Sequence, residues 1–109
     1  MGFVDLNAME FEVKEGTNRK VLQGSNMTMQ FFDRELNVVQ EHSHPQEQVV
    51  YLLEGRLKVT LEGEGTREVE AGNAVQIPGG LPHRIETLTQ VKVVSVYSPA
   101  RDLSVPSQP

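Results

Sequence analysis

Apolar side chains in this chain return again and again at every second position, and almost nothing repeats them at the spacing of a helix. Leu57, Val59 and Leu61 alternate with Lys58, Thr60 and Glu62. Val91, Val93, Ser95 and Tyr97 mark one face of a further stretch, with Lys92, Val94 and Val96 on the other. Met27-Thr28-Met29-Gln30-Phe31 has the same period. Successive side chains of an extended chain point to opposite faces, so period two marks a strand with one face buried. The alternation is broken at Glu54-Gly55-Arg56, Gly63-Glu64-Gly65, Ala71-Gly72-Asn73 and Pro78-Gly79-Gly80, where glycine and proline supply turn geometry. Many short strands at such spacing predict an all-β sandwich or barrel. With 109 residues, 38% of them hydrophobic, the chain has material for one core and one domain. Met27, Met29 and Phe31 are expected in that core with Phe32 beside them, since barrel interiors use such residues; their other use would be to line a pocket.

Several function classes drop out. There are no cysteines, which removes disulfides, thiolate ligands and thiol catalysis together. The net charge is −5 and no lysine/arginine cluster stands out, so no nucleic-acid partner is expected. The longest apolar runs are short, as in Val49-Val50-Tyr51-Leu52-Leu53, and predict no membrane span. The N-terminus, Met1 to Leu6, lacks the basic start and apolar stretch of a signal peptide, so a cytoplasmic location is the default expectation. Residues 103–109 read as a loose tail.

The chemistry is concentrated in two segments, Glu41-His42-Ser43-His44-Pro45-Gln46-Glu47-Gln48 and Gly72 to His83, which between them hold all three histidines. Histidines two apart on a strand share a face, so one ion can take both imidazoles. Gln48 has the parity of His42 and His44, although Pro45 interrupts the count, and Glu47 beside it is the rival fourth ligand. If alternation holds, Glu47 points away. His83 follows a Pro-Gly turn that can carry the chain across a barrel to the same point. A bare His-x-His is as often a pair of exposed loop histidines. Glu41 and Glu47 could orient an imidazole or act as a base, though their plainer role is solvated loop charge.

The spacing around these histidines resembles the two signature motifs of the cupin superfamily. The first is His-x-His, a carboxylate or amide ligand at Gln48, six residues and Gly55; the second is Gly72, five residues, Pro78-x-Gly80, two residues and His83. The resemblance covers about residues 19–101 and implies a double-stranded β-helix, or jelly roll, holding one divalent metal ion on His42, His44, Gln48 and His83. Residues 1–18 would then be an N-terminal strand segment, and 102–109 a flexible tail. Imidazole ligation is compatible with Zn, Ni, Fe, Co, Cu or Mn. The amide at Gln48 departs from the commoner acidic ligand and makes the set neutral, which suits polarising a substrate oxygen.

A narrower likeness is to the KdgF-type cupins of pectin and alginate breakdown, which linearise 4,5-unsaturated monouronates. It rests on His42 to Gln48, with Arg19-Lys20-Val21-Leu22 upstream and Tyr97-Ser98-Pro99-Ala100-Arg101 downstream. Those proteins carry an acid, an aromatic residue and an arginine on the final strand to serve the substrate. The matching positions are Ser95, Tyr97 and Arg101. Arg101 is retained and would clamp a carboxylate; it could equally be an ordinary surface charge. Tyr97 keeps the ring and adds a hydroxyl. Ser95 replaces the acid, and a serine cannot take a proton at neutral pH without a partner base. Three functions therefore compete: a metal-dependent enzyme on a small sugar acid, a non-catalytic metal-dependent binder of a small ligand, and a dioxygenase. A barrel this small leaves apolar faces and edges exposed. Small cupins of this kind usually pair, so a homodimer using residues 3–13 is expected, the alternative being a monomer capped by its own N-terminal strand.

Overall fold

The computed structural model describes residues 2–102. A short 3₁₀ turn at Leu6–Ala8 precedes ten strands: β1 (Glu12–Lys14), β2 (Thr17–Gln23), β3 (Thr28–Arg34), β4 (Val39–His42), β5 (Glu47–Glu54), β6 (Arg56–Leu61), β7 (Gly65–Glu70), β8 (Ala74–Ile77), β9 (His83–Thr87) and β10 (Val91–Ser98). They form two antiparallel sheets, one of six strands in the order β1-β2-β3-β10-β5-β8 and one of four in the order β4-β9-β6-β7. This is the all-β jelly roll. Among the described residues no helix is long and apolar enough to cross a membrane. β1 pairs with β2 of its own chain, Val13 opposite Asn18, and so forms one edge of the larger sheet.

The core lies between the sheets and consists of Phe32, Val50, Leu52, Leu57, Val59, Ile77, Ile85, Val91 and Val93. The alternation of β6 and β10 is observed as read: Leu57 and Val59 face in, and Val91, Val93, Ser95 and Tyr97 are all buried. The run Val49–Leu53 also alternates, with Val50 and Leu52 inside while Val49, Tyr51 and Leu53 stay exposed on the outer face.

β3 corrects one expectation. Its buried residues are Thr28, Gln30, Phe32 and Arg34, whereas Met29 and Phe31 are half-buried on the other face and Met27 is exposed. Of the four residues expected inside, only Phe32 is. The reason is register. β3 lies between β2 and β10, with Gln30 opposite Ser95 and Thr28 opposite Tyr97, so its inward face continues a polar strip.

That strip explains how one barrel carries both a core and a site. On β10, Val91 and Val93 belong to the core while Ser95 and Tyr97 lie beyond it; on β5, Leu52 and Val50 belong to the core and Gln48 lies beyond. In register, Gln48 is opposite Tyr97, and Val50 is opposite Ser95. The apolar half holds the sheets together, and the polar half is left for chemistry.

Candidate metal and ligand site

His42 is the last residue of β4, and His83, the first of β9, is its direct partner across the ladder. His44 lies just past the end of β4 rather than on it. Its loop is tied to the Pro78–Gly80 turn: Gly80 N donates to the His44 carbonyl at 2.7 Å. The two loops approach so closely that a Cβ on Gly79 would fall 2.4 Å from the Pro45 carbonyl oxygen. The glycine is therefore required by backbone contact, and that contact sets His44 beside His83.

The three imidazoles meet inside the barrel mouth. Ring centroids are 4.6 Å apart for His42–His83, 5.0 Å for His44–His83 and 5.2 Å for His42–His44. One nitrogen from each lies within 4.8 Å of the others, so the three can hold a metal ion. Two of the tautomers follow from hydrogen bonding. His44 Nδ1 lies 2.9 Å from the Gln46 carbonyl and His83 Nδ1 lies 2.8 Å from the Leu81 carbonyl. A carbonyl only accepts, so each Nδ1 carries the proton, and each neutral ring presents the bare lone pair of Nε2.

The surroundings of those lone pairs test whether a cation fits. His83 Nε2 is buried and, among the described residues, has no hydrogen-bond partner. His44 Nε2 lies 2.9 Å from Gln48 Oε1. The Gln48 amide is oriented by its other end, where Nε2 donates to Ser95 Oγ and Tyr97 Oη at 3.2 Å each. Two acceptors thus face each other unless the His44 ring is protonated. Burial opposes that: desolvation, before any other cause, holds His44 and His83 below the ordinary histidine value of 6.5, and the Arg101 charge lowers both further. Buried lone pairs that converge without a donor match the needs of a metal ion.

The remaining predicted residues are placed as follows. Gln48 is buried beside His44; Glu47 is exposed and accepts a 2.9 Å bond from Gln76 Nε2. Glu41 is exposed and pairs with Arg84 at 3.4 Å. Ser95 and Tyr97 are both buried, and the Tyr97 ring stands edge-on to His44 at 5.6 Å. Arg101 stacks its guanidinium 5.0 Å from the Tyr97 ring centre. Its backbone is held, with N donating to Thr28 Oγ1 at 2.9 Å and its carbonyl accepting from Gln23 Nε2 at 3.1 Å. The tail expected at 102–109 lies outside the described residues from 103 onward.

Sequence reasoning missed Gln30, Arg19 and Arg34, which extend the polar strip inward. Arg19 Nη1 donates to Gln30 Oε1 at 3.2 Å. Gln30 lies between Met29 and Phe31 and so reads as part of an outer face, Arg19 is marked only within the stretch 19–22, and nothing beside Arg34 marks it. A separate cavity of about 450 Å³ beside β6, β7 and β8, lined by Val59, Arg67, Val69 and Val75 among others, shares no residue with the histidine cluster.

Two packed antiparallel sheets with a histidine cluster at one end of the interior define a class: small single-domain jelly rolls. The chain belongs to the cupin family, whose domain model matches residues 35–97, more than half of the chain. It is 26% identical over 98 residues to an uncharacterised protein of Streptomyces coelicolor, covering 86% of this chain and 92% of that one. Among solved structures it resembles KdgF from Halomonas sp., with TM-score 0.85 and 25% identity over 95% of this chain and 100% of that one. An RmlC-like cupin from Shewanella frigidimarina superposes with TM-score 0.87 at 22% identity, covering 96% of each chain, and shows the shared fold.

Proposed function

We propose that this cupin is a metal-dependent enzyme that opens the ring of a small unsaturated sugar acid, the reaction class of the KdgF-type cupins. His42, His44, His83 and Gln48 would hold one divalent ion. The observation that most supports this is the convergence of the His44 Nε2, His83 Nε2 and Gln48 Oε1 lone pairs. Three imidazoles and an amide leave the ion its full charge, so when bound it polarises a substrate hydroxyl or carbonyl oxygen. Zn, Ni, Fe, Co, Cu and Mn all suit such ligands.

The chain's own groups have separable roles in this reading. Arg101, poised over Tyr97, clamps the substrate carboxylate. Tyr97 Oη accepts the Gln48 N–H, which leaves its own proton free to be given to a substrate oxygen. Ser95 Oγ accepts from the same amide and orients it. A second reading, a metal-dependent binder without turnover, is favoured by one observation: among the described residues no carboxylate is buried beside the histidines. A dioxygenase is the third, and a neutral ligand set does less to stabilise an oxidised metal.

The assay is loss of the unsaturated uronate's ultraviolet absorbance with the spontaneous reaction subtracted. We expect wild type to exceed background, and His42→Ala/His44→Ala to lose both its metal by elemental analysis and its rate. Arg101→Ala should raise KM. Ser95→Asp should raise turnover by about tenfold or more, at the lower end of what a general acid–base group contributes. No wild-type rate above background, with none gained by Ser95→Asp, overturns the uronate reading.

A further inference from the structure

Arg34 is the least expected residue in the barrel. It ends β3 on the inward face, opposite Thr17 and Val91, and is only 6% exposed. Its guanidinium carbon sits 3.9 Å above the ring centre of Phe32, the inward residue between it and Gln30. Its Nε donates to Thr17 Oγ1 at 3.2 Å. A guanidinium carries five N–H donors. Among the described residues, Nη1 and Nη2 have no hydrogen-bond acceptor, and no carboxylate pairs with this cation; the ion pairs there involve Arg19, Arg56, Arg84 and Lys92 instead.

A buried cation of this kind is costly to the free protein. Desolvation lowers Arg34 to about 10, which leaves it charged at neutral pH, and the Tyr97 phenol and Arg19 guanidinium are near enough to act on it electrostatically. Arg19 itself reaches inward to Gln30, and Gln30 is opposite Ser95, whose hydroxyl holds the Gln48 amide. A polar wall therefore runs from the histidines through Gln48, Ser95 and Gln30 to Arg19, and Arg34 lies beyond Phe32 on the same face, its guanidinium over that apolar ring. Glu12 offsets Arg19 at 3.2 Å from the outside, where both groups are exposed enough to be screened.

We propose that Arg34, supported by Arg19, is an internal anion subsite, so that the pocket takes small dianions such as dicarboxylic sugar acids, one acidic group towards the histidines and Arg101 and the second on Arg34. The inference rests on the preceding section only in that the ligand enters at the histidine cluster. Planar N–H pairs aimed at a carboxylate, in a site largely shielded from water, give both strength and orientation. The ligand's charge then supplies the counter-ion that the described residues do not place beside Arg34.

The test is calorimetric titration of the protein as purified with galactarate, which has two terminal carboxylates, and galacturonate, which has one. We expect galactarate to bind at least about tenfold more tightly, the usual scale for an added charged hydrogen-bonded contact. Arg34→Gln should erase that preference while leaving metal content unchanged; Arg34→Lys should keep part of it. Without ligand, Arg34→Met should melt no lower than wild type, because it removes an uncompensated buried charge. Equal binding of the two acids by wild type, no binding of either, a preference that survives Arg34→Gln, or an Arg34→Met variant that melts well below wild type overturns the subsite. Uronate turnover without a diacid preference removes this inference alone; a diacid preference without turnover removes the enzyme reading alone.

Discussion

Glu47 and Gln48 are neighbours on one strand, and alternation sends them to opposite sides of it. Gln48 Oε1 faces His44 Nε2, while Glu47 lies in solvent against Gln76. If Gln48 is the fourth ligand, Gln48→Leu should weaken metal affinity by about tenfold or more, and Glu47→Gln should leave it unchanged, as read by competition with a chelator. The histidines also set a pH dependence. Burial keeps His44 and His83 below 6.5 in the folded protein, so the unfolded chain takes up their protons first as pH falls. The stability tied to these neutral rings is present above about pH 6.5 and is lost as pH drops through their depressed folded values. Chelator-treated protein should therefore melt at a lower temperature at about pH 5.5 than at about pH 7.5. An unchanged or higher melting temperature in acid would contradict it.

At the scale of elements, the β4–β9 ladder pairs His42 with His83, and contact between two loops brings His44 to them. The Pro78–Gly80 turn meets the His44 loop through a 2.7 Å backbone hydrogen bond, and the contact leaves no space for a side chain on Gly79. Gly79→Ala should cost about 1–3 kcal/mol, as overpacking against rigid backbone does. Because the displaced loop carries His44, metal affinity should fall as well. Denaturant unfolding of the chelated protein and metal titration of the intact one separate the two effects. At the other end of β5, Gly55 has φ +90°, and a Cβ there would meet the Gln90 carbonyl oxygen at 2.3 Å. The β5–β6 turn thus needs glycine for conformation and for space together.

For the whole molecule, the outer surface is the unfinished part. Phe3, Val4, Phe11 and Val13 are exposed near the edge strand β1, and Val49, Tyr51 and Leu53 form an apolar stripe on the outer face of β5. Open edges and apolar faces are what a second copy covers. We propose a homodimer in which residues 3–13 contribute to the interface. β1 already pairs with its own β2, so any added pairing would use its free edge. Light scattering at micromolar concentration should give twice the chain mass of 12.2 kDa, and a monomer mass there rules the dimer out.

The strands and their turns were legible from the sequence, and the reason is local; the gathering of the three histidines was legible through the resemblance of their spacing to the cupin motifs. Period two on β6 and β10 follows from the geometry of an extended backbone, and glycine and proline act on the residues beside them. The distances from Gln48 to Gly55 and from Gly72 to His83 are likewise properties of the chain. Which face of β3 turns inward was not legible, because alternation states only that two faces differ. Met29 and Phe31 carried the stronger apolar signal, yet the ladder with β10 put Gln30 and Arg34 inside. That choice comes from a partner strand some sixty residues away, which needs polar neighbours for Ser95 and Tyr97. The tautomers of His44 and His83, the orientation of the Gln48 amide and the burial of Arg34 were decided in the same way. Each is set by contacts between segments distant in sequence, and those exist only once the two sheets have closed on each other.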